Sequence, residues 1–314
     1  MPISTALEPQ AKVSWQAIGF LLTSTLCFGL NPAAPAATLT NGALTIDIRE
    51  DNGAIARVSF GNSDFFNPGM PISDYGFQNG TDTSTFWLNS TTGWTQQPVT
   101  VSNRPKSVIV TGTYRGGNAN VDFTRTYSLI SGLNVLRVET KFVNRGDDVA
   151  LRYFDTFDPD QGVDRGNGFE TYNDTYNLST DAGVARVARA TELGGLTVAI
   201  GSISPEAIIG QTTGIAIGNG ASLNNFFGAP LDGNGIFADF GSHVGAFKML
   251  LKAGELKSVT YDQAYGQSPE EANRTFIAAN RKQAVPVPEP MSIASLAIIG
   301  AGGIARTLKR KSRA

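Results

Sequence analysis

From Leu39 onward the apolar positions recur at every second residue. Leu44, Ile46 and Ile48 alternate with Thr45, Asp47 and Arg49, a period that places one set on a buried face of a strand. Asp51-Asn52-Gly53 follows, then a second apolar run over 54–60, which reads as a hairpin closed by a tight turn. The same reading extends through 107–114, 121–130, 134–144 and 149–157. Gly117-Asn118, Ser131-Gly132 and Arg145-Gly146-Asp147 separate these strands. Further strands are expected at 184–190, 196–203, 214–217, 245–251 and 256–262. No helical period intervenes, so the spacing predicts an all-β fold, a large sandwich of antiparallel sheets, rather than βαβ units. One helix is signalled. Ser268-Pro269-Glu270-Glu271 is a capping box with proline at the first helical position, ahead of residues 272–282. With no repeat and no internal linker, residues 38–283 read as one domain.

The two ends follow other rules. Residues 17–30 carry no charge, with Lys12 before them and small residues after them, including Ala34 and Ala36. A short apolar run with that flank predicts a secretory signal peptide over 1–37, cleaved by signal peptidase near Ala36 or Ala37. A buried N-terminal helix is the weaker alternative, because the run lacks a polar face. At the other end, Val287-Pro288-Glu289-Pro290 precedes an uncharged stretch over 291–305. Arg306, Lys309, Arg310, Lys311 and Arg313 then crowd the terminus. A helix near the lower length limit for a bilayer, followed by a basic cluster, predicts a cytoplasmic tail with the body outside.

Composition agrees with a folded, exported body. Charged residues are 17% and hydrophobic ones 41%, enough apolar content for a sizeable core. Once the two ends are set aside, 19 basic and 25 acidic residues remain, a net of about −6. That sign gives the domain no electrostatic attraction to nucleic acid. The single cysteine, Cys27, lies inside the N-terminal apolar run after bulky Leu26, an unsuitable lipidation context. The mature domain therefore has no disulfide to lean on.

Within the C-terminal segment 284–314, the Pro-Glu-Pro box, single hydrophobic helix and basic cluster of residues 286–314 together resemble the PEP-CTERM sorting signal of Gram-negative bacteria. The resemblance implies processing at the box by an exosortase, a membrane-embedded protease-transpeptidase, and delivery to the cell surface or extracellular matrix. An ordinary single-pass anchor is the alternative. The segment 112–164, with TGTY, VDFTRTYSL, LNVLRVETKFVN and LRYFDTFDPDQGVD, resembles the supersandwich of galactose-mutarotase-like, carbohydrate-active proteins. That family's site uses histidines with a carboxylate base, whereas this chain has only His243. The resemblance therefore implies the fold and not that chemistry.

Candidate chemistry is sparse. Val121, Phe123, Tyr127 and Leu129 share a strand face with Arg125, while Leu151, Tyr153 and Phe157 share one with Asp155. A charge on an apolar face needs a partner, so Arg125 and Asp155 are candidates for each other or for a ligand. Asp158, Asp160 and Asp164 alternate around Gly162, near Asn167 and Glu170, and suit either a Ca²⁺ loop or a solvated acidic turn. No other cofactor is expected. Residues 172–177, with Tyr172 and Tyr176, are expected to form a polar aromatic loop. Trp87 and Trp94 offer further rings for sugar stacking or core packing. With one histidine and no mature cysteine, no Ser-His-Asp arrangement is assigned and no ordinary zinc site is expected. No catalytic residue is assigned. The leading expectation is a non-enzymatic, polysaccharide-associated surface protein. The alternative is a secreted epimerase, lyase or hydrolase using Asp155, Asp158 or Asp160 as acid or base.

The sorting reading makes a direct prediction. Glu289→Ala changes neither the apolar length nor the basic tail, so membrane insertion should be unaffected. Unprocessed protein should nonetheless accumulate in membranes and the released fraction should fall, as read by fractionation and intact mass. An unchanged distribution would leave only the plain anchor.

Overall fold

A computed structural model describes residues 36–66, 73–89, 98–213 and 220–281. The signal-peptide apolar run, Trp94, the expected strand at 214–217, Val287–Pro290, the helix at 291–305 and the tail cations from Arg306 to Arg313 lie outside those residues. No helix among the described residues is long and apolar enough to cross a membrane.

The chain opens with β1 (Ala36–Asn41), β2 (Leu44–Arg49), β3 (Ile55–Phe60) and β4 (Ser63–Asp64), then β5 (Tyr75–Asn79) and β6 (Trp87–Asn89). A meander follows: β7 (Val99–Arg104), β8 (Ser107–Tyr114), β9 (Val121–Leu129) and β10 (Val135–Asn144), leading to β11 (Val149–Phe157). Next come β12 (Thr171–Thr180), β13 (Gly183–Thr191), β14 (Thr197–Ser202), β15 (Gly210–Thr213) and helix α1 (Gly220–Gly228). The last elements are β16 (Ile236–Ala238), β17 (Phe240–Leu251), β18 (Leu256–Gly266) and helix α2 (Pro269–Ala279). Among the described residues these strands form three sheets. β1 to β4 make a small one in sequence order. A nine-stranded sheet runs β16-β12-β13-β14-β18-β10-β9-β8-β7, and a five-stranded sheet runs β15-β17-β11-β5-β6. Every named pairing is antiparallel, for example β9 with β10 and β11 with β17. The expected all-β sandwich is what forms.

One apolar core serves all three sheets. Leu39, Ile46 and Val58 from the small sheet meet Val110, Phe123 and Val138 from the large one, and Phe77, Tyr153 and Phe247 from the third. The hairpin turn predicted at Asp51-Asn52-Gly53 plugs into this core rather than projecting into water. Asn52 is fully buried, and its side chain accepts the Ala54 N–H at 2.9 Å. Gly53 has φ of 72°, and a Cβ there would sit 2.6 Å from Val110, so both backbone and space demand glycine.

The helices cover the outer faces of the two larger sheets. Helix α2 begins as its capping box predicts, with the Ser268 hydroxyl accepting the Glu271 N–H at 3.2 Å. Its Ala272 and Phe276 pack on Ala185, Val187, Ala199 and Ala264. β14 is consequently buried at every position, because the core covers one face and α2 the other. Its far end is latched. Arg137 grips Asp262 through two 2.8 Å bonds and donates to the Ala279 carbonyl at 3.1 Å, and the Asn280 amide donates to Asp262 at 2.8 Å. Helix α1 was not foreshadowed by the pattern. Leu223, Phe226 and Phe227, at helical spacing, cover Leu88 and Phe154 on the five-stranded sheet. Residues 172–177 form part of strand β12, not a loop; their polar alternation reflects a strand whose middle is half-exposed on both faces. Trp87 is a core residue, 2% exposed.

Between the sheets lies a buried polar brace. The Arg125 guanidinium meets the two Asp155 carboxylate oxygens at 2.6 Å each. It also donates to the hydroxyls of Tyr127 at 2.6 Å and Tyr261 at 3.3 Å, and to Tyr153. Tyr153 donates to Asp155 at 2.6 Å. The Tyr75 and Tyr127 rings lie 4.7 and 4.6 Å from the guanidinium carbon, and thus flank the cation with their π-faces. Burial works against the charge on Arg125, but Asp155 together with Tyr127, Tyr153 and Tyr261 outweighs it and holds the pKa well above its ordinary value. The brace reaches the small four-stranded sheet through the hairpin turn. Tyr127 donates to the Gly53 carbonyl at 2.6 Å, and Tyr75 and the Asn89 amide donate to the Asn52 carbonyl at 2.9 and 2.6 Å.

Arg125→Met should therefore destabilise the protein by about 3–5 kcal/mol, because Asp155 is left charged and dry. Adding Asp155→Leu should recover part of that loss in urea unfolding, since no buried charge then remains. A single-variant loss below ~1 kcal/mol would count against the brace as a structural constraint.

Candidate functional site

Arg125 and Asp155, singled out by sequence, find each other in the interior, 1% and 4% exposed. Both Asp155 oxygens are taken up there, by Arg125 and Tyr153, so Asp155 serves the interior pair and is not turned toward a substrate.

The second acidic signal resolves differently. β11 ends at Phe157, and the chain continues through Asp158, Pro159, Asp160 and Gln161, all buried. Proline lacks an N–H and biases the residue before it toward extended backbone, so the two carboxylates are carried on a stiff segment. The segment is anchored on both sides. The Asp160 N–H donates to the Phe65 carbonyl at 2.9 Å. The Gln161 amide donates to the Ala190 and Leu196 carbonyls at 3.1 and 3.2 Å. Asp239, in the connection between β16 and β17, completes a cluster: one carboxylate oxygen from each of Asp158, Asp160 and Asp239 lies within 4.8 Å of the others.

Asp164 is not part of this cluster. Residues Val163–Arg165 form a short 3-10 turn that directs its carboxylate to the Asp64 N–H, 2.9 Å away. Alternate spacing would align 158, 160 and 164 only along a straight strand, and the turn after Gly162 breaks that line. Asn167 is likewise engaged elsewhere, donating to Glu192 at 2.8 Å. Glu170 remains near enough to act on Asp239. Asp239 escaped notice because it comes from a strand pairing 81 residues downstream of Asp158. Its signal was a charge within Ile236-Phe-Ala-Asp239-Phe240, the same anomaly that marked Arg125.

The electrostatics of the cluster are unbalanced. Asp158 is 4% exposed, and its Oδ1 has no hydrogen-bond partner among the described residues. Burial, then Asp160, then Asp239 push its pKa up to about 8. Burial, then Glu170, raise that of Asp239.

An exposed aromatic pair adjoins the cluster. Tyr172 of β12 stands opposite Phe237 of the edge strand β16, their ring centroids 4.7 Å apart. They are 47% and 38% exposed, with Ile236 and Phe169 open nearby in sequence. Asp239 follows Phe237 by two residues. Tyr176, in contrast, is turned to Asn273 of α2 and lies beneath Arg189. A second concavity of about 760 Å³ opens on the outer face of β8, β9 and β10, between Thr111, Thr113, Thr124 and Lys141. Its Asp122 is already engaged by Arg145 and Thr113, each at 2.8 Å, and none of the orphaned buried polar atoms among the described residues lies in it.

No protein-family model matches the chain, and no curated protein matches it in sequence. Among solved structures, it is similar to a chain described as an aldose 1-epimerase from Escherichia coli K12, at 12% identity and a TM-score of 0.48. The match covers 74% of this chain and 99% of that one. A galactose mutarotase-like protein from Lactobacillus casei has 12% identity and a TM-score of 0.45, over 74% of this chain and all of the other. A polysaccharide lyase has 14% identity and a TM-score of 0.43, over 76% of this chain and 35% of that one.

The raised Asp158 pKa sets a pH dependence. The folded protein holds this proton more tightly than the unfolded chain, whose aspartates titrate near about 3.9. The associated stability is full below that value and is lost as pH climbs toward 8. In chelator, wild type should therefore lose stability relative to Asp158→Asn between about pH 4 and 8, then run parallel to it. Parallel melting curves across the whole range would show that Asp158 is not the group.

Proposed function

We propose that this chain is an exported cell-surface or extracellular-matrix protein that holds polysaccharide on its Tyr172–Phe237 platform, without processing it chemically. Signal peptidase and an exosortase are the partners that its two ends call for, and either the sorting or the simple-anchor reading puts the body outside. The observation that carries the binding reading is the exposed ring pair beside the acidic cluster. Two aromatic rings held against each other on an edge strand are costly to leave in water. The C–H faces of a sugar ring can cover them, while its hydroxyls donate to carboxylates at the rim. Glu170 and Asp239 supply that rim. Small-ligand recognition generally combines an apolar surface with a few convergent polar groups in this way. An edge strand also invites pairing with other chains, and the bulky rings on the short β16 work against that.

The test is affinity electrophoresis of the full-length protein through gels containing soluble neutral and uronate-bearing polysaccharides. Wild type should be retarded by at least one of them. Tyr172→Ala with Phe237→Ala should weaken that binding about tenfold or more, equivalent to ~1.4 kcal/mol. Equal retardation of the two proteins would remove the platform from the proposal. Release of new reducing ends by wild type, lost in Asp158→Asn, would replace it with the carbohydrate-active enzyme reading.

A further inference from the structure

We infer that Asp158, Asp160 and Asp239 form a binding site for one divalent cation of the hard, oxygen-seeking class, Ca²⁺. The inference stands apart from glycan binding and would survive its failure.

Two observations carry it. The first is the convergence of three carboxylates from two segments distant in sequence, with an oxygen of each within 4.8 Å of the others. The second concerns Asp158 alone. It is more than nine-tenths buried, it faces the other two carboxyls, and its Oδ1 lacks a hydrogen-bond partner among the described residues. Buried carboxylate oxygens are ordinarily paired, and an orphaned one marks a missing proton donor or a missing cation. The charges that raise the Asp158 pKa are those of Asp160 and Asp239, both of its own sign, and no oppositely charged side chain among the described residues is paired with it.

The donor set narrows the identity of the ion. All three donors are carboxylate oxygens, which suit Mg²⁺, Ca²⁺ or Mn²⁺ and not the softer metals that favour sulfur or imidazole. Coordination habit then separates Ca²⁺ from Mg²⁺. Two oxygens on one ion can be no farther apart than twice the bond length. For Ca²⁺, with bonds of about 2.4 Å, that limit is ~4.8 Å, so oxygens within 4.8 Å of one another can share one such ion, whereas Mg²⁺ demands a near-ideal octahedron and keeps several waters. Ca²⁺ also tolerates irregular coordination, as a rigid Asp-Pro-Asp segment facing a separate strand connection would provide. The site is open on one side. Asp239 is exposed while Asp158 and Asp160 are not, so an ion can be admitted from solvent and keep water on its outer face. Asp158 and Asp160 would supply the buried charge, and Asp239 would close the site from outside.

The experiment uses the full-length protein, stripped with chelator and titrated with CaCl₂ or MgCl₂. Equilibrium dialysis with radioactive calcium should give one ion per chain, and the melting temperature should rise by several degrees with Ca²⁺. Asp158→Asn should abolish both effects. That variant removes a buried repulsion, so its calcium-free form should fold at least as well as wild type. Asp239→Asn, at an exposed position, should weaken calcium binding at least tenfold. Asp164→Asn should bind as wild type does, because its carboxylate serves the Asp64 N–H instead. Absence of stoichiometric calcium, an Asp239→Asn variant that binds unchanged, or an equal response to Mg²⁺ at the same concentration would each overturn the assignment.

Discussion

The constraint on which this fold depends is a single charge placed where water cannot reach. Arg125 lies on the inner face of the nine-stranded sheet, and Asp155 on the inner face of the five-stranded one. Neither could be buried alone, since desolvation of an isolated ion costs far more than a domain's net stability. Once paired, they fix the distance and register between the two sheets, because a one-residue slip of β9 or β11 would send a charge to the wrong face. Four tyrosines turn the pair into a brace. Through Tyr75 and Tyr127 it also holds the backbone of the Asn52-Gly53 turn, so the small N-terminal sheet is docked by hydrogen bonds as well as by Leu39, Ile46 and Val58. Such networks add specificity more surely than stability. An apolar core of this size could tolerate several packings of two sheets, whereas a bidentate pair accepts one.

The acidic cluster is downstream of that registration. Asp155 fixes β11, and β11 delivers Asp158 and Asp160 three and five residues later. Asp239 arrives through an independent route, the β12–β16 pairing that also sets Tyr172 against Phe237. Structural and candidate functional carboxylates thus sit within a few residues of one another and differ by one feature. Asp155 is fully partnered, whereas Asp158 has an oxygen without a partner.

Much of this was legible in the chain. The boundaries of β8, β9, β10 and β11 lie within one residue of those expected, because their faces alternate cleanly between core and solvent. The Ser268 cap and proline placed the start of α2. The charge-on-apolar-face rule picked out Arg125 and Asp155 before their pairing was known. The rest depended on tertiary context. β12 is polar on both sides near its middle and carries no period to read. α1 is short, flanked by glycines, and helical because Leu223, Phe226 and Phe227 find an apolar sheet face to cover. The metal-like spacing of residues 158, 160 and 164 mistook proximity in sequence for proximity in space. The 3-10 turn removed Asp164, and a distant strand supplied Asp239.

The latch at the end of α2 has a mechanical side. A pull applied to the chain beyond α2 would reach the body at the last described residues, Asn280 and Arg281. The force would pass through the Asn280–Asp262–Arg137 clasp into β18 and β10, which are interior strands of the largest sheet. Load therefore spreads across many interstrand bonds instead of unzipping an edge. The brace at Arg125 lies on β9, the next strand over, so the buried ion pair stands beside the strand that bears the load.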